Sequence, residues 1–123
     1  MSVIQEKRVH ELSVMSNILD IVVENAQKNN AKRVTKIHLV VGELSDLIPE
    51  WMQTYFDFVS KDTIADNAEL VIEKIPAVLK CDECGHEFTI TREDFQFTCR
   101  KCESAEVTIQ SGREFTVKSI EID

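Results

Sequence analysis

Glycine and proline are scarce in this sequence, with three glycines and two prolines in 123 residues. That excludes a collagen-like repeat, a flexible glycine-rich linker and a disordered low-complexity chain. Aromatic residues are also few, with one tryptophan, one tyrosine and six phenylalanines. Basic residues are outnumbered, 14 against 22 acidic ones, giving a formal net charge of −8. Binding a phosphate backbone needs clustered Lys and Arg, so the balance argues against nucleic acid and for protein partners, cations or solubility. No apolar run is long enough to span a bilayer. Residues 1–8 lack the apolar centre of a secretory signal, so a cytoplasmic chain without membrane attachment is expected. The phosphate-binding loop G-x-x-x-x-G-K-[ST] is missing as well. The chain is not expected to be an enzyme.

Hydrophobic residues make up 43% of the chain, enough for a packed core, and the length suits one domain or one domain with a small module. Leu12, Met15, Ile18, Leu19, Val22, Val23 and Ala26 recur at steps of three and four, which predicts a helix over 10–29 ended by Asn29 and Asn30. The β-branched stretch from Val34 to Val41 predicts a strand, punctuated by Gly42. Ser45, Asp46 and Pro49 announce a second helix with an apolar face of Met52, Tyr55, Phe56 and Val59. Residues 69–79 read as a second strand carrying Pro76, and 107–110 and 113–122 as further strands separated by Ser111 and Gly112. With two Cys-x-x-Cys pairs at residues 81–84 and 99–102, the expected fold class is α+β: two helices on a three-stranded sheet, with an inserted zinc-ribbon module. Residues 9–79 plus 110–123 would form the main domain, 1–8 an N-terminal extension, and 80–109 the metal-binding module.

All four cysteines fall in two Cys-x-x-Cys pairs, Cys81/Cys84 and Cys99/Cys102. Secreted chains use such cysteines for disulfides, whereas reducing compartments keep them as metal ligands. Two residues between cysteines let both sulfurs turn toward one point, and two such knuckles complete the tetrahedron that zinc prefers. A closed four-sulfur site leaves no position for water or substrate, so its role is structural; iron shares this ligand set. The segment between the knuckles suits a hairpin, outward over 87–91 and back over 95–98. Phe88, Phe95 and Phe97 are expected to pack inside the module, and Gly85 supplies a permissive backbone after Cys84. His86 is read as a surface histidine and His38 as a sheet residue.

His10 and Glu11 stand where the first predicted helix begins. The ordinary reading is a solvated histidine beside a carboxylate favoured by the helix dipole. Imidazole is also a good nickel ligand, and a histidine near a chain terminus can combine its ring with the terminal amine and backbone amides in a square-planar set.

With His10-Glu11-Leu12-Ser13 opening a helix, Ala31-Lys32-Arg33-Val34 before a strand, Val41-Gly42-Glu43-Leu44-Ser45 after it, two Cys-x-x-Cys pairs and the closing Ile120-Glu121-Ile122-Asp123, the sequence resembles the HypA/HybF family of hydrogenase-maturation nickel chaperones. The resemblance implies Ni(II) as transferred cargo at His10 and Glu11 and structural zinc on Cys81, Cys84, Cys99 and Cys102. It implies delivery to the large subunit of [NiFe]-hydrogenase with a nickel-handling accessory GTPase, and in some members service to urease accessory proteins. In that family the histidine follows the initiator methionine, whereas here eight residues precede Val9. A GTG start codon at Val9 would restore Met-His-Glu. Some members add a carboxylate after the first strand, for which Asp46 is the nearest candidate. The rival reading is a zinc-ribbon interaction adaptor that handles no nickel. Monomer and homodimer are both compatible with the sequence.

Overall fold

The chain folds as an α+β protein with two helices and two three-stranded sheets among the described residues. The computed structural model describes residues 3–45, 47–91, 93–94 and 96–123, and the side chains of residues 3–10 lie outside the description. Helix α1 spans Val3–Lys28, beginning seven residues before the start that the apolar periodicity indicates. Residues 3–9 contain neither glycine nor proline, so no local signal stops the helix from continuing backward. Its C-terminus is closed as expected: Asn30 adopts φ +54, Ala31 N–H donates to Ala26 O and Asn30 N–H to Gln27 O. That pair of bonds is a Schellman cap, which favours asparagine or glycine at the left-handed position.

Strand β1 (Val34–Gly42) is followed by helix α2 (Pro49–Ser60) and strand β2 (Glu69–Ile75). Pro49 occupies the first turn of α2, where its missing N–H costs nothing, and Ile48 at the N-cap supplies no side-chain cap. The last strand of this sheet, β6, is Phe115–Ile122, and the order is β2-β1-β6. Glu43 N–H donates to Ile75 O, joining the C-terminal ends of β1 and β2, which therefore run parallel as in a βαβ unit. Asp123 N–H to Arg33 O and Gly42 N–H to Glu114 O, at opposite ends of the pairing, make β6 antiparallel to β1.

Residues 69–79 do not form one strand. Pro76 divides them into β2 and a separate strand β3 (Ala77–Cys81), which belongs to the other sheet. Proline lacks the N–H that a continuous ladder would use, so the chain changes sheet there. The second sheet has the order β4-β3-β5, with β4 Glu87–Ile90 and β5 Val107–Ser111, both antiparallel to β3. A bulge on β5 leaves Gln110 unpaired, since Val78 pairs with Ser111 and Leu79 with Ile109.

Two compact units follow from this chain path: residues 1–39, 47–72 and 117–123, and residues 40–46 and 73–116. The first has a core from Met15, Ile18, Val22 and Ala26 of α1, Val34, Ile37 and Leu39 of β1, and Met52 and Phe56 of α2. Gln53 ties α2 to the head of β2: its Oε1 accepts from Leu70 N–H at 2.8 Å and its Nε2 donates to Ala68 O at 3.1 Å. The second unit has its own core of Ala77, Leu79, Cys81, Phe88, Ile90 and Cys99, with Leu44, Val107 and Ile109 packed against it.

Candidate metal centre

Each cysteine pair is shaped by the same backbone device. After Cys84, Gly85 takes φ +77 and its N–H donates to Cys81 O at 2.9 Å. After Cys102, Glu103 takes φ +64 and its N–H donates to Cys99 O at 2.9 Å. Both turns are clamped from the other side, Cys81 N–H donating to His86 O at 2.8 Å and Cys99 N–H to Ser104 O at 2.9 Å. Cys81 closes strand β3, whose ladder to β5 continues as Asp82 N–H to Glu106 O at 2.8 Å, supported by Thr108 Oγ1 donating to Asp82 Oδ1. The sheet thereby fixes the first knuckle.

The four sulfurs converge, all lying within 4.8 Å of one another. Cys81 Sγ is 3.5 Å from Cys102 Sγ, and Cys84 Sγ is 3.6 Å from Cys99 Sγ. These separations are far beyond the roughly 2.05 Å of a disulfide, and all four cysteines are free. A tetrahedron with zinc–sulfur distances of about 2.3 Å has sulfur–sulfur edges of about 3.8 Å. Two of the six edges are thus within a few tenths of an ångström of those a zinc ion requires, the others lie within 4.8 Å, and the donor set is the one zinc prefers. Cys81 and Cys99 are buried in the core of the unit, whereas Cys84 and Cys102 face solvent.

Backbone N–H groups point at the buried sulfurs. Lys101 and Cys102 donate to Cys99 Sγ at 3.3 and 3.4 Å, and Cys84 donates to Cys81 Sγ at 3.5 Å. Such bonds favour a thiolate. Burial pushes the Cys99 thiol up, but the N–H groups of Cys102 and Lys101 and the neighbouring thiols outweigh it and bring its pKa down to about 6. At Cys102 the Ser104 N–H pulls downward, yet the other three cysteines and burial push its thiol up to about 12. For Cys84 the His86 N–H likewise lowers, while burial and the Cys99 and Cys81 sulfurs raise it above the ordinary value. The metal-free cluster therefore holds one readily formed thiolate with at least two protonated neighbours, and a divalent cation would displace those protons.

Around the knuckles, His86 stacks on Phe88 at 6.2 Å between ring centroids, and the Arg100 guanidinium lies 5.7 Å over the same ring. Arg100 also bonds Asp94 Oδ2 at 3.0 Å and Gln96 Oε1. His86 is not among the converging ligand atoms. Two expectations for the module fail. Residues 96–98 form no returning strand; β4 pairs with β3 instead, because Phe88 and Ile90 bury against Leu79 there. Phe97 does not enter the core and remains 43% exposed. Phe95 and Arg92 lie outside the described residues, as does Asp46. Leu44, by contrast, packs on the core of the cysteine unit. Nothing in local sequence links it to cysteines so far along the chain, and only its place in the motif 41–45 marks it.

His10 and Glu11 lie within α1, two turns after its start rather than at its first residue. The side chain of His10 lies outside the described residues. Glu11 is buried at 2% exposure and lies past the first turn of α1, so it is not the dipole-favoured carboxylate of a helix opening. The four cysteines form a site together, and among the described residues no other group of three His, Cys, Asp or Glu does. His38 on β1 bonds Glu121 on β6 at 2.7 Å. No helix among the described residues is long and apolar enough to cross a membrane.

Residues 9–122 match the family described as hydrogenase/urease nickel incorporation, metallochaperone, HypA. The hydrogenase maturation factor HypA of Caldanaerobacter subterraneus subsp. tengcongensis is 40% identical over 116 residues, covering 94% of this chain and all of that protein. The HypA of Chlorobaculum parvum is 42% identical over 115 residues with the same coverage. In three dimensions the chain is similar to the solution structure of the Ni metallochaperone HypA from Helicobacter pylori, with a TM-score of 0.59 and 27% identity over 91% of this chain and 96% of that one. It is also similar to a second HypA solution structure, with a TM-score of 0.65 and 28% identity over 93% and 96% of the two chains. A non-enzymatic metal handler with a four-cysteine cluster is what these matches and this geometry describe, and the chain belongs to the HypA/HybF family of hydrogenase-maturation nickel metallochaperones.

Proposed function

We propose that this chain binds Ni(II) through His10, with Glu11 beside it, and passes it on for the maturation of [NiFe]-hydrogenase, while Cys81, Cys84, Cys99 and Cys102 hold a structural zinc ion. The observation that carries the reading is the match of residues 9–122 to a nickel-incorporation family. The large subunit of the hydrogenase is the recipient and a nickel-handling accessory GTPase the co-worker; urease accessory proteins are further candidates. The two metals are handled by different parts of the chain, nickel by 9–79 with 110–123 and zinc by 80–109, and the protein works in the cytoplasm.

The helix sets a condition on the nickel ligands. In α1, which begins at Val3, the backbone N–H groups of residues 9–11 lie past the first turn and donate to carbonyls four residues earlier. An amide nitrogen in such a bond cannot also be deprotonated and bind a metal. A chain that begins at residue 9 leaves those N–H groups without intrahelical acceptors, together with a terminal amine. Nickel titration of the zinc-loaded protein, beginning at residue 1 and at residue 9 side by side, tests the proposal. One Ni(II) per chain is expected, bound more tightly by the shorter form and lost in His10→Ala with zinc content unchanged. If neither form takes up nickel stoichiometrically, or if His10→Ala binds it like the parent, the proposal fails.

A further inference from the structure

Helix α2 is apolar on two sides. Met52, Phe56 and Ser60 are buried on one face. On another, Trp51, Tyr55 and Phe58 follow at steps of four and three, which places them within about 60° of one another around the axis. Trp51 is 49% exposed and Phe58 74%, and the Tyr55 ring lies 6.3 Å from that of Trp51. From full-size aromatic areas, Trp51 and Phe58 alone leave roughly 250 Å² of ring surface in water. Exposed aromatic surface of this amount along one helix face suits a small docking contact, and tryptophan and tyrosine are enriched among the residues that dominate binding energy.

Charge indicates what covers it. Within Pro49–Ser60 the side chains charged at neutral pH are Glu50 and Asp57, and Lys and Arg are absent; Lys61 comes only past the helix end. Helical geometry puts Glu50 and Asp57 on the same flank of the stripe, about 100–120° from Trp51. A second copy of this chain would bring an acidic flank and a formal charge of −8 against the same charges. A partner with apolar anchors and a basic flank meets no such penalty.

We propose that the Trp51–Tyr55–Phe58 face of α2 docks a cationic amphipathic helix of a partner protein, one with apolar residues at three- and four-residue spacing and Lys or Arg along one side. The inference is independent of the nickel reading, because it concerns exposed residues of α2 and its test uses no nickel. Trp51 is the chain's one tryptophan, so its emission reports on this face directly.

The probe is a synthetic leucine–lysine peptide of roughly 18 residues, with leucines at i, i+3, i+4 and i+7, titrated into the full zinc-loaded chain. A leucine–glutamate peptide of the same leucine spacing is the control. The lysine peptide should give a saturable blue shift of Trp51 emission, and the glutamate peptide should not. Phe58→Ser removes an exposed ring and Asp57→Lys reverses the flank, so each should weaken binding about tenfold or more, with far-UV circular dichroism unchanged. The proposal is overturned if the lysine peptide does not shift the emission, or if it binds Phe58→Ser as it binds the parent, which would make the attraction purely electrostatic. Equal binding of the glutamate peptide would also overturn it, as would a concentration-dependent dimer in sedimentation that Phe58→Ser abolishes, which would assign the face to a second copy.

Discussion

Replacing Gly42 by alanine should be among the most damaging single-methyl additions available in this protein. A Cβ there would stand 2.8 Å from the Arg113 backbone nitrogen and closer still to the carbonyl carbon and oxygen of Gly112. The obstacle is backbone, not the end of a flexible side chain. Gly112 is itself crowded, because a Cβ built on it would meet the Ala77 Cα at 2.7 Å. Relief requires residues 42 and 112–113 to separate by about an ångström, a distance set by ordinary carbon–oxygen contacts of roughly 3.3 Å. That separation breaks Leu44 N–H to Gly112 O at 2.7 Å and Gly42 N–H to Glu114 O at 2.6 Å. Overpacking costs roughly 1–3 kcal/mol and each buried hydrogen bond left unmade about 1 kcal/mol or more, for a total of about 3–5 kcal/mol. For a chain of this size that corresponds to a melting temperature lower by roughly 10–20 °C. Thermal unfolding followed by circular dichroism, with both proteins zinc-loaded and at equal free zinc, measures it. Gly85→Ala is the control: its Cβ meets nothing within 4 Å, and only the φ of +77 penalises it, by about 1 kcal/mol. A Gly42→Ala protein that melts within a few degrees of the parent would show that the crossing of residues 42 and 112 is not close.

Two further outcomes follow from the ionisable groups. At about pH 7.5, zinc uptake by the metal-free chain should release at least two protons per ion, because the Cys102 thiol stands at about 12 and that of Cys84 is also raised, while ligating cysteines are deprotonated. Zinc affinity accordingly rises with pH; a weakly buffered titration with a pH indicator counts the protons, and release of clearly fewer than two would contradict this ionisation of the cluster. The hydrogen bond from His38 holds the Glu121 carboxyl below its ordinary value of 4.5, with Lys36 adding to the effect. A depressed carboxyl stabilises the fold above its unfolded value, and this contribution disappears as pH falls through the folded value. His38→Val should raise the Glu121 titration midpoint in carbon-13 NMR, and an unmoved midpoint would mean that the 2.7 Å bond is not formed in solution.

How far the sequence is legible depends on whether its signals are local. Met15, Ile18, Val22 and Ala26 announce a helix face by spacing alone, and all four are buried. Asn30 announces the helix end because few residues tolerate the left-handed conformation that the cap needs. The cysteine spacing likewise contains most of the site, since each knuckle is closed by bonds within six residues. What escapes is decided by distant partners. Phe88 and Ile90 alternate as any hairpin strand would, and only the packing of Leu79 selects β3 as the neighbour of β4. Pro76 is visible as a strand breaker, but that the chain crosses to another sheet there depends on where β5 lies. The start of α1 is illegible for the opposite reason: residues 3–9 carry no stop signal, and apolar periodicity says nothing about polar turns added before the buried stretch.

Gly85 and Glu103 show that a local signal can be permissive without being required. The glycine after Cys84 looks like the residue that makes the knuckle, yet the second knuckle forms the same 2.9 Å bond with glutamate at the equivalent place and a φ of +64. The left-handed turn is therefore imposed by what closes around it: the N–H groups aimed at Cys99 Sγ and the clamp from Cys99 N–H to Ser104 O. The same reasoning bears on which metal can travel. A zinc-loaded cluster with Cys81 and Cys99 buried and bonded to backbone N–H groups keeps half of its ligands out of a recipient's reach, although Cys84 and Cys102 face solvent. Cargo must leave from a place where ligands can be exchanged singly. The site proposed above at the beginning of α1 would meet that requirement, because its backbone nitrogens become available when the helix has no turn before them.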